Sequence, residues 1–200
     1  MTTTVAHAAR AIERPREIPL PRPPRPPPFG TCVLLPIEDE AFRAQLGTDD
    51  VARYDDGIVA RLVHAGTPLA FVAHAYTTRS PHALVGLEQV DCRLRASAPR
   101  NLEMSFRKRA GRAEPLITPR DAVPLNHPLD TSFLAFGEPE LVTTALDTYV
   151  CNALLTIAWT NPFLVVSGGL IELAWSAERG RLPMLPDAML FIVTTIASRL

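Results

Sequence analysis

From Thr144 to Thr160 a threonine or asparagine recurs at every fourth position: Thr144, Thr148, Asn152, Thr156 and Thr160. Val142, Leu146, Tyr149, Val150, Ala153 and Ile157 fall on the opposite side of a 3.6-residue period. The spacing predicts one long amphipathic helix whose wet face is almost uncharged. Its start is marked by Glu138-Pro139-Glu140. A first-turn proline is tolerated because that N–H has no intrahelical partner, and the two glutamates complement the positive helix end. Pro162 sets its end near Thr160, since the residue before a proline is pushed out of helical geometry. A short strand at Ser132–Phe136 precedes it.

After the helix the pattern changes to two β-rich runs, Phe163–Ser167 and Leu170–Trp175, around Gly168-Gly169. Paired glycines supply the positive φ angles of a two-residue hairpin turn. That register sets Val166 against Ile171 and Leu164 against Leu173, with Trp175 on the same core-facing side. Phe163 and Val165 share the other face with Ser167 and Glu172. The stretch Thr148–Ile171 also carries no charged residue and is long enough to cross a bilayer as a helix. Against that reading stand Asn161-Pro162 and the glycine pair inside it, and no flanking Lys/Arg cluster.

Upstream, period-two alternation dominates. Thr31–Leu35 reads as a first strand, Ile37–Leu46 as a short helix ended by Gly47, Thr48-Asp49-Asp50 as the cap of a further turn, and Asp55-Asp56-Gly57 as a turn. Ile58–His64 and Leu69–Tyr76 flank Ala65-Gly66; a turn there pairs Leu62 with Leu69 and Ala60 with Phe71. His64 and His74 then lie at opposite ends and on opposite faces, which argues against a shared metal site. Val90, Cys92 and Leu94 alternate with charged residues, as do Leu102, Met104 and Phe106. A loop at Ser97–Asn101 would join these runs as a hairpin, with Arg95 opposite Glu103 and Asp91 opposite Arg107. After Gly111 the prolines Pro115, Pro119, Pro124 and Pro128 predict an extended connection, Glu178–Arg181 a loop. Pro186-Asp187 opens a closing helix with Met189, Ile192, Val193, Ile196 and Leu200 inward and Thr194 among the outward residues.

These elements predict an α+β protein: an antiparallel sheet, made of a meander and a C-terminal hairpin, with two C-terminal helices on one face. Residues 1–30 stand apart as a Pro/Arg-rich tail in which no helix or central strand forms, so the tail is expected to be disordered and to favour polyproline II; residues 31–200 suit one domain. Pro21-Arg-Pro-Pro24 and Pro24-Arg-Pro-Pro27 have the spacing that aromatic grooves recognise, which makes Pro21, Pro24 and Pro27 a candidate docking peptide.

Charge narrows the function classes. The formal net charge is −1, which creates no field for nucleic acid or an anionic membrane. The cluster Arg93, Arg95, Arg100, Arg107, Lys108, Arg109 and Arg112 has opposite charges alternating through it and no aromatic platform, so no nucleic-acid partner is expected. Three cysteines, Cys32, Cys92 and Cys151, are far apart and odd in number; they give no disulfide framework and no metal-ligand spacing, and read as small buried residues. The N-terminus lacks a charged-then-apolar leader, so the cytoplasm is the expected compartment.

Acid–base chemistry needs titratable groups gathered in a pocket. His7, His64, His74, His82 and His127 lie in no recognisable catalytic frame, and Ser167-Gly168-Gly169 leads into a strand where a nucleophile elbow leads into a helix. No catalytic, cofactor or metal residue is assigned. His127 and Asp130 form a candidate polar site, against the reading of Asp130 as a turn former bonding backbone at or near Ser132.

Asp130-Thr-Ser-Phe133, Phe136 three residues on, Glu138-Pro139, a Leu-rich helix, a Gly hairpin and a closing helix follow in that order. Over residues 129–200 this resembles the C-terminal region of the domain family DUF3137 and similar unassigned bacterial proteins. The resemblance implies a helix–hairpin–helix ending and a cytoplasmic face, and transfers no catalytic residue. Many members of that family carry membrane-spanning segments upstream, where this chain has the Pro/Arg tail. The leading expectation is a non-catalytic module for protein–protein association, with a homodimer through Thr144, Thr148, Asn152 and Thr156, because uncharged polar surface costs little to desolvate. The alternatives are a membrane-associated protein acting through 148–171, and an enzyme of unknown type.

Overall fold

The computed structural model describes residues 31–34, 51–54, 57–79, 87–109, 120–178 and 185–200. The Pro/Arg tail with its docking prolines, the expected helix at Ile37–Leu46 and the segment around Pro115 and Pro119 lie outside them. Among the described residues ten strands make one antiparallel sheet: β1 (Thr31–Leu34), β2 (Val51–Tyr54), β3 (Gly57–His64), β4 (Thr67–Arg79), β5 (Leu87–Ser97), β6 (Met104–Lys108), β7 (Ala122–Val123), β8 (Phe133–Gly137), β9 (Phe163–Ser167) and β10 (Leu170–Glu178). Their order is β2-β3-β4-β5-β10-β9-β6-β8-β7, with β1 beside the far end of β4. The helices are α1 (Pro139–Ala145), α2 (Thr148–Thr156) and α3 (Asp187–Arg199). The α+β class and the placement of helices on one face of an antiparallel sheet are as the sequence predicts.

Two registers follow from turn chemistry. Ala65 and Gly66 take positive φ, and β3 pairs with β4 through Leu62–Leu69 and Ala60–Phe71. Gly168 and Gly169 take φ of 61° and 88°, and β9 pairs with β10 through Val166–Ile171 and Leu164–Leu173. These primed-turn angles match the twist of the flanking strands, which fixes the register.

The expected β5–β6 hairpin does not form. β10 and β9 insert between those strands, so β5 pairs with β4 and β10 while β6 pairs with β9 and β8. Alternation determines which face a side chain takes, and the apolar sets Cys92–Leu94 and Met104–Phe106 are indeed buried together. It leaves open which strand lies alongside. In consequence Arg95 and Asp91 sit opposite Glu172 and Ser176, not opposite Glu103 and Arg107.

The long helix is also two helices. α1 ends at Leu146, whose ψ of 54° leaves the helical region, and Asp147 then caps α2 by accepting from Val150 N at 2.9 Å. A short acceptor side chain that bonds the backbone ahead of it favours an N-cap over a helix interior. A 3-10 turn at Ala158–Thr160 and a left-handed Asn161 bring the chain into β9. Thr160 is buried, against expectation, with its hydroxyl donating to Ile157 O. Val51–Tyr54, where a helical turn was expected after Asp50, is a strand paired with β3.

α3 lies across β4, β5 and β10, with α1 and α2 packed beside it. Met189, Ile192, Val193 and Ile196 bury fully against Leu94, Leu173 and Trp175 in one core. Thr194 is buried too, its hydroxyl donating back to Leu190 O, which lets a polar residue face inward. Phe71 stacks with Trp175 at 6.0 Å, and Phe106 with Phe133 at 4.9 Å. Residues 148–171 thus form a helix, a 3-10 turn and most of a hairpin, which overturns the reading of that stretch as one spanning helix. Among the described residues no helix is long and apolar enough to cross a membrane.

Candidate interface on the helix layer

α2 buries Val150, Cys151 and Leu154 and turns its opposite side outward. Thr148, Asn152 and Thr156 are exposed, as the period predicts. Thr144 is exposed as well, but it belongs to α1, so the helix break takes it off the line of the other three.

The structure adds large apolar groups that the periodicity does not reveal. Tyr149 is 72% exposed, Trp159 55% and Leu155 45%. Tyr149 is placed inward by a count that treats it as apolar; with the helix starting at Thr148, its side chain is on the outer flank. Within α2 the fourfold stripe runs between Leu155 and Tyr149, and Trp159 follows in the 3-10 turn beyond the helix end. The resulting strip carries uncharged polar groups along its middle and apolar groups on its flanks. Phe191 of α3 is 42% exposed. Arg199 Nη2 reaches Asp147 Oδ2 at 2.6 Å, so the C-terminus of α3 meets the N-terminus of α2.

His127 and Asp130 frame the first turn of the 3-10 segment Pro128–Thr131. Asp130 Oδ2 accepts from His127 N at 3.3 Å and Oδ1 accepts from Leu125 N at 3.1 Å, while His127 Nδ1 accepts from Leu129 N at 3.3 Å. This is a capping box, and the aspartate bonds backbone behind it instead of near Ser132. His127 Nε2 lies 3.1 Å from Asn152 Oδ1, which ties this turn to the exposed strip. The two predicted features therefore meet at one hydrogen bond.

Cys151 lies beneath the strip, its Sγ donating to Leu146 O at 3.2 Å. Burial, then the charges of Asp147 and Asp130, push its thiol up to about 11. A nucleophilic cysteine needs the opposite shift. Cys92 is buried and raised still more firmly, by burial and then by Asp91. Cys32 lies in β1, and its side chain is outside what is described.

On the face of the sheet away from the helices, Glu172 accepts from Arg93 Nη1 at 3.2 Å and from Arg95 Nε at 2.5 Å. Asp91 accepts from Ser176 at 2.7 Å, Arg107 lies over the Phe136 ring at 5.2 Å and Lys108 donates to Asn161 at 2.5 Å. Sequence reasoning missed Glu172 as the shared acceptor because the strand beside Arg93 and Arg95 was assigned wrongly: β10, not β6, lies there. His64 and His74 sit at opposite ends of the β3–β4 pair, opposite Thr67 and Gly57 respectively. Two shallow depressions open on the sheet, one of about 300 Å³ beside Ser105, Phe136 and Val165, the other of about 190 Å³ beside Asp91, Arg93 and Phe163. Among the described residues no three His, Cys, Asp or Glu side chains come together as metal ligands.

No family model and no curated protein matches the chain. A solved structure, the crystal structure of the mycobacterial trehalose monomycolate transport factor A, TtfA, aligns with 84% of this chain and 85% of its own at 12% identity and a TM-score of 0.37. At that distance the likeness carries no argument about fold or function.

Proposed function

We propose that the protein is a non-catalytic association module whose copies meet through the exposed face of α2. The observation that carries this reading is the strip itself, where Trp159, Tyr149 and Leu155 stand exposed around Thr148, Asn152 and Thr156. Trp and Tyr dominate interface energetics because each offers a large rigid apolar surface with a polar edge. The strip bears no charge, so two identical copies of it face each other without like-charge repulsion, and a two-fold contact requires that self-complementarity. The titratable groups near it support a structural role: His127 and Asp130 cap a turn, Asp147 caps α2 and holds Arg199, and Cys151 is held as a thiol.

Sedimentation velocity on the full chain tests this. A dimer that gives way to monomer on dilution is expected. Leu155→Glu, which sets a charge against its own copy, should raise the dissociation constant at least about tenfold, on the order of 1.4 kcal/mol. A monomer at all concentrations, or a dimer indifferent to Leu155→Glu, overturns the proposal.

A further inference from the structure

The sheet face away from the helices carries a hollow whose walls follow from strand register. Arg93 of β5, Ala174 of β10 and Phe163 of β9 stand in one cross-strand row. With neighbouring strands about 4.8 Å apart, the arginine and the phenylalanine rise about 10 Å from each other with only a methyl group between them. The next row on that face holds Asp91 and Ser176, and Asn161 closes its end just ahead of β9. All six residues line the depression of about 190 Å³.

The charges in this hollow come as an opposed pair. Asp91 and Arg93 are two residues apart on one strand, so their side chains leave the same face about 6.6 Å from each other. Each is held by its own neighbour across the strands: the Asp91 carboxylate accepts from the Ser176 hydroxyl at 2.7 Å, and Arg93 Nη1 donates to Glu172 at 3.2 Å. A negative and a positive group are thereby set side by side in one depression. Asn161 Oδ1 accepts from Lys108 Nζ, which leaves the amide N–H groups as donors on its other arm. The Phe163 ring, 41% exposed, is the apolar wall.

We propose that this hollow binds a free α-amino acid with an apolar side chain, its ammonium on Asp91, its carboxylate on Arg93 and its side chain against Phe163. A guanidinium carries five N–H donors and a carboxylate accepts at both oxygens, so each group can serve a ligand beside the bond that orients it. A single carbon separates the ammonium and carboxylate of an α-amino acid, and two charge-assisted bonds of about 2.8 Å extend that span across the pair. A plain anion gains Arg93 but meets Asp91, and a plain amine meets the reverse; the zwitterion opposes neither. The volume lies below the roughly 300–1,000 Å³ of sites for drug-sized ligands, which suits one molecule of this size. Because the hollow is on the opposite side of the sheet from α2, its occupancy does not depend on association between copies.

The test is saturation-transfer difference NMR followed by isothermal titration calorimetry on the full chain with three probes: L-phenylalanine, hydrocinnamate, which lacks the ammonium, and phenethylamine, which lacks the carboxylate. Phenylalanine is expected to bind, and each truncated probe to bind at least about tenfold more weakly. Asp91→Asn should erase the preference for phenylalanine over hydrocinnamate, and Arg93→Gln the preference over phenethylamine. Ala174→Leu, which fills the floor of the hollow without removing a charge, should abolish binding of phenylalanine. Far-UV circular dichroism matching wild type shows that each variant is folded. Phenylalanine that fails to bind at millimolar concentration, a truncated probe that binds as tightly, or a preference that survives both charge substitutions overturns the proposal, and none of these outcomes touches the dimer.

Discussion

At Asp147 one carboxylate holds two elements: Oδ1 accepts from Val150 N at 2.9 Å and Oδ2 from Arg199 at 2.6 Å. Asp147→Ala should lower unfolding free energy by about 1–2 kcal/mol, most of it the lost cap, since partly exposed ion pairs add little. The Arg199 bond holds its carboxyl below the ordinary carboxylate range. A carboxyl lowered in the folded state stabilises fully above its unfolded pKa, and that contribution disappears as pH falls through the folded value. Denaturation of wild type and Asp147→Asn compared at pH 7 and pH 3 should therefore show a gap that narrows on acidification. Glu172 is the analogous residue on the sheet, serving both Arg93 and Arg95 with side chains 15%, 32% and 14% exposed. Removing it as Glu172→Ala leaves two mostly covered guanidinium groups without their shared carboxylate, and urea titration should show a loss of about 2–3 kcal/mol, between the surface and buried limits. The raised thiols of Cys92 and Cys151 predict that iodoacetamide at pH 8 leaves both unmodified in the folded protein and labels both in guanidinium, read by peptide mass.

Among elements, the register of the β9–β10 hairpin was legible because Gly168-Gly169 and strict alternation act on the same few positions, although β10 runs on to Glu178, past the expected end at Trp175 and into the first residue of the expected loop. Its turn is also easy to break. A side chain at Gly169 would face φ +88° and meet Arg100 Cγ at 3.1 Å, so Gly169→Ala should cost about 1–3 kcal/mol by thermal melt. The helices were half legible. Glu138-Pro139 marks the start of α1 and Pro162 the end of the helical region, yet the break at Leu146-Asp147 was hidden, because an aspartate on a helix surface and an aspartate capping a new helix look alike in a periodic count. The same shift of frame moved Tyr149 from core to surface. His127 and Asp130 drew attention as chemistry and proved to be a capping box, whose spacing is visible in sequence once a turn at Pro128 is assumed.

For the whole molecule, local signals ran out at strand order. Nothing in the alternation of β5 or β6 says that β10 and β9 come between them; strand order is set by contacts distant in sequence, and α3 packs across β4, β5 and β10. The error carried through to the arginines, whose partners are set by neighbours distant in sequence, as with Arg95 and Glu172. The exposure of Thr148, Asn152 and Thr156 was legible because it depends on helix period alone, whereas Thr144 left their line at the helix break; the exposed Trp159 and Leu155 came from the structure. Mapping backbone amide shifts of the isotope-labelled full chain across a dilution series tests the central claim most directly. The account predicts concentration-dependent shifts that centre on Thr148, Tyr149, Asn152, Leu155, Thr156 and Trp159, with the sheet face around Glu172 unmoved. Shifts centred on that sheet face, or none at any concentration, would contradict it.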